Sequence, residues 1–92
     1  MTLMVKVREF VSENHNCVLG TLRKNGSVQM SIISCGTFRD GVAFTTVEKA
    51  AKLTNLRRNP RCTLLISAAD WRNYIVLESR ARILSPTNTD PE

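Results

Sequence analysis

Leu3, Val7, Phe10 and Val11 recur at three- and four-residue intervals, so Thr2 to Glu13 predicts an amphipathic helix with Thr2 as its candidate cap. Asn14 and Asn16 break that pattern. From Cys17 to Arg23 the chain becomes β-prone, and Asn25-Gly26 follows. This dipeptide is the strongest short hairpin signal and predicts a type I′ turn with positive φ at both residues. The return strand is expected over about Ser27 to Phe38, a second turn at Arg39-Asp40-Gly41, and a third strand from Val42 to Thr45.

A helix is predicted next, from about Val47 to Arg58, stopped by Asn59-Pro60 because proline disfavours α geometry in the residue before it. Cys62 to Ser67 reads as a fully apolar fourth strand, Ala68 to Arg72 as a loop, and Tyr74 to Leu84 as a long fifth strand. In that last strand Ile75, Leu77, Ala81 and Ile83 share one face while Glu78, Arg80 and Arg82 share the other. Pro86 to Glu92 reads as a frayed end.

The chain is therefore expected to be one domain over residues 1–92: an N-terminal helix (1–14), a three-stranded meander (15–46), a helix (47–59) and two further strands (61–84). The class is mainly β with flanking α, antiparallel, a closed or partly closed barrel. The strands Cys17–Leu22 and Val28–Ile33 carry apolar residues on both faces near their centres. One face fills the barrel, and the other is available to a second subunit or a flat ligand, which favours a dimer. A chain of 92 residues also has a thin core that a partner subunit would help.

Composition narrows the partners. The net charge of +5 permits an anionic partner without naming it. Aromatics at 5% are too few for a base-stacking platform, so single-stranded nucleic acid is disfavoured. Lys6, Arg8 and Glu9 interrupt the first apolar residues too early for a signal peptide or a membrane span, so no membrane partner and a cytoplasmic location are expected. Cys17, Cys35 and Cys62 show neither metal-ligand nor disulfide-framework spacing, and are expected to be free buried thiols in a reducing compartment.

No GxSxG, Walker A, GxGxxG or HExxH motif is present. His15 follows an expected helix end with no carboxylate partner, and Asp40 and Asp70 sit in turns, where a carboxylate ordinarily bonds local backbone. The stretch FTTVEKAAKLTNLRRNP, Phe44 to Pro60, stands out. It places Lys49 and Lys52 in the opening turns of a predicted helix, where the dipole prefers acidic neighbours. A bound phosphate would reconcile them, with Thr45 or Thr46 adding a hydroxyl and helix N–H groups completing the nest. The competing reading has both lysines snorkelling outward and Thr45 with Glu48 forming a capping box.

The runs LGTLRKNGSVQMSII (Leu19 to Ile33) and FTTVEKAAKLTNLRRNPRCTLLI (Phe44 to Ile66), then Asp70, Trp71 and Tyr74 followed by VLESRARIL, resemble the pyridoxamine 5′-phosphate oxidase-like FMN-binding split-barrel family. The likeness covers nearly the whole chain and is greatest to the branch that binds FMN or F420. It implies a six-stranded split β-barrel homodimer with the cofactor at the interface. Here the split barrel is expected to be an incomplete version, lacking the C-terminal helix and last strand.

In such proteins the strand matching Gln29, Met30, Ser31 and Ile32 lies along the flavin or deazaflavin ring. The segment matching Thr45, Thr46, Lys52 and Asn55 faces the ribityl phosphate. Lys52 matches a phosphate-binding position, and Lys49 is added from the charge argument alone. The chain departs from the branch at Ala50 and Thr54, where basic residues are usual, and at Ile32, Ser34 and Ser79. The lost cations imply a weaker phosphate grip.

The function implied is an FMN- or F420-binding oxidoreductase that transfers hydride between the cofactor and a small-molecule substrate, the cofactor supplying the redox chemistry. The alternative is a non-catalytic flavin- or haem-binding split-barrel protein, with His15 the only histidine available to haem.

Overall fold

The computed structural model describes residues 5–47 and 49–84. The order is α1 (Val5–Glu13), β1 (Asn16–Leu22), β2 (Val28–Ser34), β3 (Gly36–Phe38), β4 (Gly41–Ala43), α2 (Ala51–Arg58), β5 (Arg61–Ser67) and β6 (Tyr74–Arg80). Thr2, Leu3, Glu48 and the predicted frayed end at Pro86 to Glu92 lie outside the described residues.

Two antiparallel sheets form, a four-stranded one in the order β2-β1-β5-β6 and a two-stranded β3-β4 ribbon. Among the described residues they do not close on each other, consistent with a partial split barrel. Six strands appear where five were read because the predicted Ser27–Phe38 strand breaks at Cys35. There the Cys35 N–H donates to the His15 carbonyl (3.0 Å), and His15 Nδ1 bonds the Cys35 carbonyl (2.8 Å). Those bonds to a residue 20 positions back hold the chain while it leaves one sheet for the other.

Helix α1 ends as expected: Asn14 gives both its backbone N–H and its Nδ2 to the Phe10 carbonyl (3.0 and 2.9 Å). The β1-β2 hairpin also forms, with a different turn. Gly26 N–H donates to the Arg23 carbonyl (2.9 Å) and Arg23 N–H to the Ser27 carbonyl (2.8 Å), closing a three-residue loop. Only Gly26 takes positive φ, at +90°, which corrects the type I′ expectation. Asn25 instead uses its side chain, whose Oδ1 accepts from Ser27 N–H at 3.0 Å.

The largest correction concerns the second helix. It starts at Ala51, four residues later than read, because Ala50 is extended (φ −66°, ψ 139°) and ends a turn closed by its own N–H on the Val47 carbonyl (3.1 Å). Its end is as predicted, with Asn59 extended before Pro60. The last strand stops at Arg80, although Ala81 still donates to the Pro60 carbonyl at 2.7 Å.

The inner face of the large sheet makes the core. Val11, Cys17, Leu19, Cys35, Leu56, Cys62, Leu64 and Ile66 are buried there, with Phe10, Ile33, Phe44, Ile75, Leu77, Ala81 and Ile83 packed around them. Each fully buried aliphatic such as Leu19 or Ile66 contributes about 1.5–3 kcal/mol. The alternation read in the last strand holds: Ile75, Leu77, Ala81 and Ile83 face in, and Glu78, Arg80 and Arg82 are exposed. All three cysteines are free and buried, as expected. Burial, and then Cys35 nearby, push the Cys17 thiol up to about 12, and burial raises Cys35 and Cys62 as well.

The outer face of the same sheet is bare. The register aligns Ile32, Val18, Leu65 and Val76 in one row across its four strands. Ile32 is 84% exposed and Met30 66%. Among the described residues nothing covers this row.

Candidate functional site

The stretch after β4 leads from Phe44 through Thr45 and Thr46 into the turn at Val47–Ala50 and then α2. The residues expected to hold a phosphate divide sharply here. Thr45 is exposed, whereas Thr46 is half-buried and its Oγ1 is sealed from solvent without a hydrogen-bond partner. Orphaned buried hydroxyls are rare in native folds and each calls for a specific cause. At the start of α2 the cap residue Ala50 has no side chain to accept the first N–H groups. Among the described residues no side chain caps this end and its first turn contains no acid, so nothing described there offsets the positive dipole.

Lys52 lies in that first turn and is half-buried; Lys49 precedes the helix and is exposed. The wheel argument that set Lys49 beside Leu53 and Leu56 is thereby overturned, since Lys49 is not helical. The capping-box alternative for Thr45 fails for the same reason: Thr45 stands five residues before the actual cap. A hydroxyl, uncapped helix N–H groups and a lysine are each donors that an oxyanion can take up, so the residue types present in this segment fit a phosphate.

Asn55 does something else. Its Nδ2 donates to Thr21 Oγ1 (3.1 Å) and to Gln29 Oε1 (2.7 Å), and its Oδ1 accepts from Arg58 (2.8 Å). Arg58 also donates to the Leu22 carbonyl at 3.1 Å. Gln29 and Asn55, both read as cofactor contacts, are thus brought together, and their bond ties α2 to β1 and β2. Sequence reasoning missed Thr21 and Arg58, which complete this network; a buried asparagine on a helix was the only signal.

Along β2, Gln29 and Ser31 turn inward and half-buried, while Met30 and Ile32 project from the bare outer face. The strand pairs with β1 alone, so its second edge has no strand partner among the described residues. That edge is where backbone groups can meet a planar ligand. Trp71 sits in the loop before β6, 48% exposed and at φ +59°, a left-handed conformation costly for a bulky residue. Asp70 plays the turn role expected, its Oδ1 accepting from Arg72 N–H at 2.9 Å.

His15 spends Nδ1 on the Cys35 carbonyl and is itself exposed. No helix among the described residues is long and apolar enough to cross a membrane.

The fold is similar to the crystal structure of a conserved hypothetical protein, Rv2991, from Mycobacterium tuberculosis. The two share 21% identity and superpose with a TM-score of 0.78 over 95% of this chain. The chain spans 57% of the length of that relative. Residues 3–91 match the pyridoxamine 5′-phosphate oxidase family, and with the partial split barrel described above the chain belongs to that family of FMN-binding proteins.

Proposed function

We propose that the protein binds FMN or F420 and serves as an oxidoreductase, transferring hydride between the cofactor and a small molecule. The observation that carries this reading is the Thr46–Lys52 segment, where a sealed unpartnered hydroxyl, an uncapped helix start and a half-buried lysine occur in succession. Thr46 Oγ1–H and the first N–H groups of α2 donate to the terminal phosphate, and Lys52 neutralises it. The free edge of β2 near Ser31 orients the ring, with Asn55 and Gln29 holding that strand against α2. The cofactor, when bound, supplies the redox chemistry.

The same reading makes the working unit a homodimer with the cofactor at its interface. Its support is the bare row Ile32, Val18, Leu65 and Val76, an apolar patch of the kind that marks interaction surfaces.

Fluorescence titration of FMN and of F420 into the purified protein, with native mass measurement, tests both parts. Saturable quenching with one of them, at one cofactor per chain in a dimer, is expected. Unchanged fluorescence with both would overturn the reading. Tight binding without turnover by any reductant would instead leave a non-catalytic carrier.

A further inference from the structure

The outer face of the four-stranded sheet changes character along its strands. At one end it is the apolar row described above. At the other, Arg61 and Arg80 stand directly opposite each other on β5 and β6, both exposed. Like charges opposed on one sheet face repel, yet among the described residues neither guanidinium has an ion-pair partner.

Beside them opens a groove of about 520 Å³, with Val28 and Leu22 toward one side and Thr63 and Glu78 toward the other. Its floor is Gly20. A Cβ there would come 3.4 Å from Val28 Cγ1 and 3.8 Å from the Thr63 carbonyl, so the missing side chain keeps the floor low. Two more arginines are pinned near the same strand ends. Arg23 donates to the Val28 carbonyl (3.0 Å) and Arg58 to that of Leu22 (3.1 Å). Glu78 is the single acid lining the groove.

We propose that this groove is a second ligand site, taking a small hydroxyl-bearing phosphate monoester, distinct from the Thr46–Lys52 segment and independent of it. Strands lie about 4.8 Å apart, so two opposed guanidinium groups can grip one anion between them. A phosphate has three terminal oxygens to share between two forks, whereas the two oxygens of a carboxylate are already satisfied by one. Glu78 beside them repels a bare anion and rewards a ligand whose hydroxyl can donate to it. The volume suits a small organic molecule. A nucleic-acid strand is disfavoured because Trp71 and Tyr74 stand away from the groove, leaving no ring to stack on.

The test is an amide NMR titration of the full chain with inorganic phosphate and with ribose 5-phosphate at constant ionic strength. Saturable shifts at Gly20, Thr63 and Glu78 are expected, with ribose 5-phosphate binding roughly tenfold more tightly than phosphate. Arg61→Gln and Arg80→Gln should each weaken it by roughly tenfold. Both positions are exposed, so the rest of the spectrum should stay in place.

Gly20→Ala keeps both cations and meets only ordinary contacts, and it should also weaken binding by raising the floor. Shifts confined to Thr46–Lys52, equal binding of the two ligands, or arginine variants that bind like wild type would each overturn the proposal. None of these results bears on FMN or F420 quenching, which reads the other site.

Discussion

The two ends of α2 are built to opposite specifications. Near its C-terminal end Asn55 is buried and every polar atom of its side chain has a protein partner. At its start the cap Ala50 has only a methyl group and makes no capping bond, Thr46 Oγ1 has no partner among the described residues, and the described first turn holds a lysine and no acid. A helix whose polar groups are all satisfied internally is scaffold. Dissatisfaction concentrated at a single end is what the proposed phosphate would relieve. The contrast is sharp because Lys52 and Asn55 stand only three residues apart on the same helix.

The strongest way to break the scaffold end is Asn55→Ala. Thr21 Oγ1 and Gln29 lose their donor, and Thr21 is only 1% exposed, so no water replaces it at Thr21. The expected loss is about 3 kcal/mol, read as a lower urea midpoint at unchanged slope. A loss under about 0.5 kcal/mol would mean that the network is incidental to stability.

Alkaline pH attacks the scaffold from beneath. Burial holds all three thiols protonated in the fold beyond their ordinary value of 9.0, Cys17 to about 12. Unfolding lets them ionise, so the unfolded state binds fewer protons above pH 9. Their contribution is therefore whole below that value and is lost as pH rises above it, for Cys17 up to about 12, at up to about 1.4 kcal/mol per pH unit for each thiol. Urea midpoints should hold from pH 8 to about 9 and then fall toward pH 11. A Cys17→Ala variant should show a shallower decline.

At the end proposed to hold phosphate, Lys52→Ala should weaken FMN binding roughly tenfold while leaving the stability of the free protein within about 0.5 kcal/mol. Ala50→Ser also lowers affinity but acts on the free protein as well. A hydroxyl at the cap satisfies one of the orphaned N–H groups, so the free protein gains about 1 kcal/mol. The added oxygen competes with phosphate, so cofactor affinity should fall.

Much of the scaffold was legible in the sequence and most of the contrast was not. Alternation along Tyr74 to Leu84 reported the buried face correctly because strand geometry leaves side chains no other choice. Asn59-Pro60 ended α2 for an equally local reason. The apolar residues on both faces of the first two strands signalled a second, uncovered surface. The break at Cys35 and the bonds of Asn55 to Thr21 and Gln29 depend on residues 20 to 34 positions away, which periodicity does not record. The late start of α2 was missed because EKAAKL has good helix formers throughout, and the turn at Val47–Ala50 overrides that propensity. Trp71 at positive φ had no sequence signal at all.

The smallest expected effect is the most discriminating. Lys49 and Lys52 stand three residues apart and look equivalent in the sequence. The fold separates them: Lys49 lies in the turn before the helix and is exposed, and Lys52 lies in the first turn of α2 and is half-buried. An exposed ammonium interacts through water and is screened by salt, and such charges contribute about 0–1 kcal/mol even when paired. Lys49→Ala should therefore change FMN affinity by less than about threefold at physiological salt, and the small change should vanish at about 0.5 M salt. A loss equal to that of Lys52→Ala, persisting in salt, would move the phosphate off the helix start and into the Val47–Ala50 turn. Thr46 would then need another partner.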